Sequence, residues 1–320
     1  MKRWLAIAIL ALSVLMPGLG WAQKLPLPVE VRRGPVLVRA EAGLEDLAED
    51  VAEMVPEALK RIAADLPELP TPRTVEIRLV KRGENLARVA PAGRGAPAWA
   101  AGVAYRGTNV ISVAARTKTG ENDVESTTAH ELAHLALDTA MGDKHIPRWL
   151  NEGFAYIHSS RFSVARARTL AGMAWTGNVI PLVDLDRHFP AHEVAVGKAY
   201  AQSYDFVSYL ALRGRFADKD DDGDRWPFRD FLAELARGAT LDEAAHRHFG
   251  SNMDQLFKEW IEDMRNRYML SPIGLFGILV WAIGGFLLVL AYFRKRRLGR
   301  KKMQLWEDEE AARFEVPELV

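Results

Sequence analysis

The chain has 320 residues, of which 49% are hydrophobic and 26% charged, enough for one large domain or two subdomains. Forty-two Lys and Arg balance 42 Asp and Glu, so no overall charge points to nucleic acid as a partner. With no cysteine there are no disulfides, and a metal site has to be built from His, Asp and Glu.

Lys2 and Arg3 precede an apolar run from Trp4 to Met16, followed by Pro17-Gly18-Leu19-Gly20-Trp21-Ala22. This layout predicts a secretory signal peptide over residues 1–22, cleaved after Ala22. Residues 23–35 hold Pro26, Pro28 and Pro35 and read as a linker, and Val36-Leu37-Val38 reads as a short strand. Leu47, Val51, Met54, Val55, Leu59 and Ile62 recur at helical spacing and predict a helix over 44–66, kinked or split at Pro56. Thr74 to Val80 alternates as a half-buried strand does. Ala90 to Pro97 reads as a loop, and Ala101–Tyr105 and Asn109–Val113 as a hairpin or adjacent strands.

Helices dominate after Gly120. Asn122 or Asp123 can cap a helix running through Met141. At 100° per residue, Thr127, His130, Glu131, His134 and Asp138 share one polar arc, while Ala129, Leu132, Leu135 and Ala136 occupy a separate apolar arc. Pro147 opens the next helix, which carries Glu152, and further helices are predicted at 196–213, 228–237, 240–248 and 252–269. Strands before helices predict an α+β fold: a mixed β-sheet part over 23–122 and a helical part over 123–270.

Ile273 to Phe293 is a stretch of about 21 uncharged residues, long enough for one transmembrane helix. Arg294, Lys295, Arg296, Arg297, Arg300, Lys301 and Lys302 follow it directly. The positive-inside rule puts residues 294–320 in the cytoplasm and everything between the signal and the span outside the cytoplasmic membrane, in the periplasm or its equivalent. Beside a span, this cluster reads as a topology anchor rather than a nucleic-acid patch.

The chemistry concentrates in His130-Glu131-Leu132-Ala133-His134 and Trp149-Leu150-Asn151-Glu152-Gly153. Positions i and i+4 of a helix project from one face, so the two imidazoles can converge on one metal ion, with Glu152 as third ligand. Two His and one Glu with an open fourth position describe a catalytic zinc centre, and Glu131 stands ready to activate the zinc-bound water.

The two segments resemble those of the bacterial peptidase MA-like group of gluzincin metallopeptidases, which pair HExxH with W-L-N-E-G. Seventeen residues separate His134 from Glu152, close to the gluzincin spacing, and the similarity runs from about Val75 to Tyr268. The resemblance implies a zincin-like fold, Zn2+ held by His130, His134 and Glu152, and Glu131 as general base. In related aminopeptidases a tyrosine stabilises the oxyanion. The string from Tyr200 to Leu210 is similar to the segment bearing it, so Tyr200 matches, with Tyr204 as the fallback. Substrate peptides in this class lie along an edge strand of the sheet, for which Ala100–Tyr105 and Asn109–Val113 are the candidates. The aminopeptidases carry an acidic motif there, whereas Ala98 to Val113 holds no acidic residue, which favours endopeptidase action on a protein or peptide substrate.

Other residues read more plainly. Asp138 either orients a ligand from behind or ends a helix in solvent. His145 and His158 are expected at the surface. Residues 218–224 imitate a calcium loop, but Arg229 stands where its bidentate Glu belongs, so a solvated turn is favoured over calcium. Two other readings compete with a peptidase: a catalytically quiet zincin domain serving as a binding or assembly module, and hydrolysis of a non-peptide bond at the same centre.

Overall fold

The computed structural model describes residues 24–97, 99–118, 120–159, 163–187, 193–213, 226–269 and 272–314. The signal-peptide segment and the acidic 218–224 turn lie outside the described residues. Two compact units emerge, one of residues 1–169 and 179–260, the other of residues 170–178 and 261–320.

The first unit is α+β. Strands β1 (Val29–Arg33), β2 (Val36–Ala40), β3 (Val75–Arg82), β4 (Gly102–Ala104), β5 (Val110–Thr117) and β6 (Gly120–Glu121) form one mixed sheet. Its order is β1-β2-β3-β5-β4, with β6 also pairing β5. β2, β3 and β5 run parallel, β1 and β4 antiparallel to their neighbours. Parallel neighbours need a crossover, and helix α1 (Glu45–Ala64) supplies it between β2 and β3. Val51, Val55 and Ile62 of α1 are buried with Val36, Val38, Ile77 and Leu79 of the sheet. The linker expected over 23–35 instead contains β1, whose side chains are mostly exposed, so a two-sided burial signal is missing. Pro56 does not split α1, which runs through it. The short α2 (Leu86–Val89) follows β3.

Helix α3 (Val124–Met141) carries the paired histidines. The Asp123 carboxylate accepts from the Ser126 amide at its start, and Gly142, with φ +59°, turns the chain out at its end. Helix α4 (Arg148–Ser159) carries Glu152, and its first turn closes on the Pro147 carbonyl, so proline precedes the helix and does not begin it. Helices α5 (Val164–Thr176) and α6 (Leu182–Arg187) were not expected from the sequence; Ser163 caps α5, its hydroxyl accepting from the Arg166 amide, but the helix shows no clean apolar stripe. Helix α7 (Glu193–Ser208) ends in a π turn at Tyr209–Arg213, and α8 (Trp226–Ala236) and α9 (Leu241–Phe249) follow.

Trp149-Leu150-Asn151-Glu152-Gly153 acquires a physical meaning here. Trp149 and Leu150 are buried, Trp149 against Phe206 of α7 with ring centroids 5.1 Å apart. Asn151 and Glu152 turn to the other side. Gly153 is where α7 comes closest: a Cβ there would stand 2.5 Å from the Ser203 carbonyl oxygen and 2.7 Å from Val207 Cβ. Gly153→Ala is therefore expected to destabilise the domain by about 1–3 kcal/mol through overpacking, read as a lowered unfolding midpoint.

His158, expected at the surface, is almost wholly buried and lies 3.1 Å from Asp65, which also lies 3.7 Å from Arg229. The cluster joins the ends of α1 and α4 to α8. A charged buried group has to find such partners.

The second unit contains the end of α5, part of α10 (Met253–Met269), and α11 (Pro272–Phe314), a single helix of 43 residues. Leu279, Val280, Trp281, Phe286, Leu288 and Phe293 are all exposed on α11. Among the described residues no helix is long and apolar enough to cross a membrane, so the span expected over 273–293 gains no support.

Candidate metal centre

α3 and α4 pack together beside the outer edge of β4, and the cleft between them has a volume of about 600 Å³. His130 and His134 project from α3, and Glu152 meets them from α4. His130 Nε2 and His134 Nε2 are 3.1 Å apart, and Glu152 Oε2 lies 3.6 Å from the first and 3.5 Å from the second. Ligands held tetrahedrally at ~2.0–2.1 Å from a zinc ion stand ~3.3–3.4 Å from one another, so the three atoms already have the spacing of one face of such a site.

Both rings are held from behind. His134 Nδ1 faces Asn151 Oδ1 at 2.5 Å, and His130 Nδ1 faces Ser159 Oγ at 3.3 Å. An Nδ1–H donated to Asn151 leaves the His134 Nε2 lone pair for the metal. Ser126 Oγ donates to the Ser159 carbonyl, fixing the end of α4 against α3. Asp138 does not hold His134; it lies 3.8 Å from Arg106, and burial raises its carboxyl against the opposing charges of Arg106 and His134. Arg148, one turn before Glu152, stands 3.6 Å from its other oxygen, Oε1.

Opposite charges support one another inside the cluster. Burial works against the His134 imidazolium, but the hydrogen bond and charge of Glu152, with help from Glu131 and Asn151, hold it up at about 9. Burial likewise opposes the Glu152 carboxylate, and the two imidazoles outweigh it, keeping Glu152 well below the usual carboxylate range. A carboxylate so firmly ionised suits a cation.

Glu131 is buried against β4. A Cβ on Gly102 would stand 2.8 Å from Glu131 Cγ, 2.9 Å from its Oε1 and 2.8 Å from Thr127 Cγ2. Glycine at this point of the edge strand is what lets the carboxylate lie there. His145 is exposed, 3.4 Å from Asp186, and takes no part.

Tyr200 of α7 lines the cleft, whereas Tyr204 carries the Arg166 guanidinium over its ring at 4.1 Å and does not. Tyr156, which the sequence reading missed, also lines it, with its ring 4.6 Å from that of His130 and 5.5 Å from that of Tyr200. Its signal was available: Tyr156 lies four residues after Glu152, on the same helical face. Burial, then the charge of Glu152, pushes the Tyr156 hydroxyl up to about 12 and raises that of Tyr200 too, with Arg148 opposing at Tyr200. Both remain proton donors at neutral pH.

Residues 90–266, more than half of the chain and including every residue of this cleft, match the peptidase MA superfamily. The chain belongs to the peptidase MA superfamily. A comparison with curated proteins finds no match. Membership and the His130–His134–Glu152 cluster together make this a metallopeptidase-like domain with a candidate metal site.

Proposed function

We propose that this peptidase MA superfamily member is a zinc-dependent endopeptidase. The observation that carries the reading is the triangle of His130 Nε2, His134 Nε2 and Glu152 Oε2, with sides of 3.1, 3.6 and 3.5 Å, sharing one cleft with Glu131. His130, His134 and Glu152 hold the ion, Asn151 and Ser159 set the two rings, and Arg148 occupies the carboxylate oxygen turned away from them. A zinc ion bound there supplies Lewis acidity and makes water a nucleophile near neutral pH. Glu131 takes the proton from the attacking water and passes it to the departing amine. The Tyr200 hydroxyl, with Tyr156 beside it, donates to the developing oxyanion.

An extended substrate adds to the free edge of β4 through main-chain hydrogen bonds. The cleft wall from Pro97 to Ala104 has no acidic side chain to hold a free amino terminus, which supports an endopeptidase.

Export and tethering complete the reading. The layout of residues 1–22 supports a cleaved signal, and the uncharged 273–293 stretch with its basic flank supports a single membrane span, the domain outside and the C-terminus in the cytoplasm.

Metal removal tests the core of this proposal. The purified full-length protein is expected to carry one zinc per chain, to lose cleavage of a mixed peptide library when chelated, and to regain it with added zinc. Cleavage that survives complete removal of metal would sink it.

A further inference from the structure

The catalytic cleft does not end at Trp99. A second cavity of about 390 Å³ lies beyond it and shares Trp99 and Ala100 with the first. Its walls carry Arg82, Arg116 and Lys118 against one carboxylate, Glu84.

Arg82 and Arg116 are register partners on the adjacent strands β3 and β5, so their side chains leave the same face of the sheet. Like charges placed opposite one another cost stability. The acids nearby offer little relief: Arg82 is 3.7 Å from Glu84 and Arg116 is 4.0 Å from Glu121, with all four side chains at least 63% exposed. Lys118 makes no ion pair among the described residues. The cations therefore stay available to an anion from outside.

Backbone contact ties the two cavities together. A Cβ on Gly83 would stand 3.0 Å from the Ala100 carbonyl oxygen, so the segment leading into β4 rests on the floor of the basic cavity. A peptide lying along β4 with its reacting bond beside Gly102 and Glu131 continues past Ala100 towards Trp99, which is 70% exposed. At ~3.3 Å per residue, its side chains reach the cations about three residues from that bond.

We propose that the Arg82–Arg116–Lys118 cavity is a substrate subsite for acidic side chains, Asp or Glu, about three residues from the cleaved bond. The word substrate rests on the peptidase reading; capture of an acidic peptide does not, and the test keeps the two apart.

The probes are a fluorescein-labelled peptide with a Glu-Asp-Glu block in a Gly-Ala frame and its Gln-Asn-Gln counterpart. Both are titrated by fluorescence anisotropy into the full-length protein carrying Glu131→Gln. The acidic peptide is expected to bind about three- to tenfold more tightly, the yield of two or three partly exposed ion pairs. That preference should vanish when Arg116→Ala and Lys118→Ala are added, and shrink in ~0.5 M salt. Lys118→Ala alone, at an exposed turn, should give an intermediate loss should the double variant unfold. Equal binding of the two peptides, or a preference unchanged in the variants, overturns the proposal. So does binding to phosphatidylglycerol vesicles that depends on Arg116 and Lys118 in the absence of any acidic-peptide preference. If the preference is present and cation-dependent while the wild-type protein cleaves no peptide, the subsite stands and the peptidase reading falls.

Discussion

Glu131→Gln is expected to lower kcat for peptide cleavage about 10²- to 10⁴-fold, the usual contribution of a positioned general base. Zinc content should stay at the wild-type level, because Glu131 makes none of the contacts among His130, His134 and Glu152. KM should change little, since the amide keeps the shape that lies against Gly102. Metal analysis and steady-state kinetics on the same preparation check both halves. Lost zinc would make Glu131 a structural residue, and unchanged kcat would remove it from the chemistry.

Removal of the Glu152 carboxylate should act on the metal itself. Glu152→Ala is expected to weaken zinc binding more than the ~10–100-fold typical of losing a partner behind a ligand, which is the range expected for Asn151→Ala. A competition titration against a chelator ranks the two. Binding weakened equally by both changes would mean that Glu152 is no ligand. The Glu152 variant also leaves two facing imidazoles without the carboxylate that balances them, so its metal-free form should be the less stable of the pair by thermal unfolding.

Local patterns carried most of the site. The four-residue spacing of His130 and His134 and the polar arc of α3 depend only on helical geometry, which a sequence displays directly. Trp149-Leu150-Asn151-Glu152-Gly153 was legible as a motif. That Asn151 holds His134, and that Gly153 admits α7, depends on which helix packs against α4, and no local pattern encodes this. The same holds for His158, placed at the surface by its polarity but buried beside Asp65, a residue far away in sequence. Of the two outcomes expected at Pro56, the split does not occur: a proline weakens a helix locally, but the buried stripe of Val51, Val55 and Ile62 carries the helix across it. β1 was hidden by Pro26, Pro28 and Pro35 around it, although Val29-Glu30-Val31-Arg32 alternates.

Strand β4 is only three residues long, Gly102 to Ala104, and it borders the cleft with its outer side unpaired among the described residues. An open sheet edge is a hazard as well as an opportunity, since another copy of the same chain could stitch onto it and seed aggregates. So short a ladder gives a stray strand too few hydrogen bonds to hold on by backbone alone. Under the proposed function, a peptide substrate would gain the remainder from the metal centre and from the basic cavity past Ala100. Brevity at this edge would then act as a filter, turning away partners that offer only a backbone and keeping those with the right side chains.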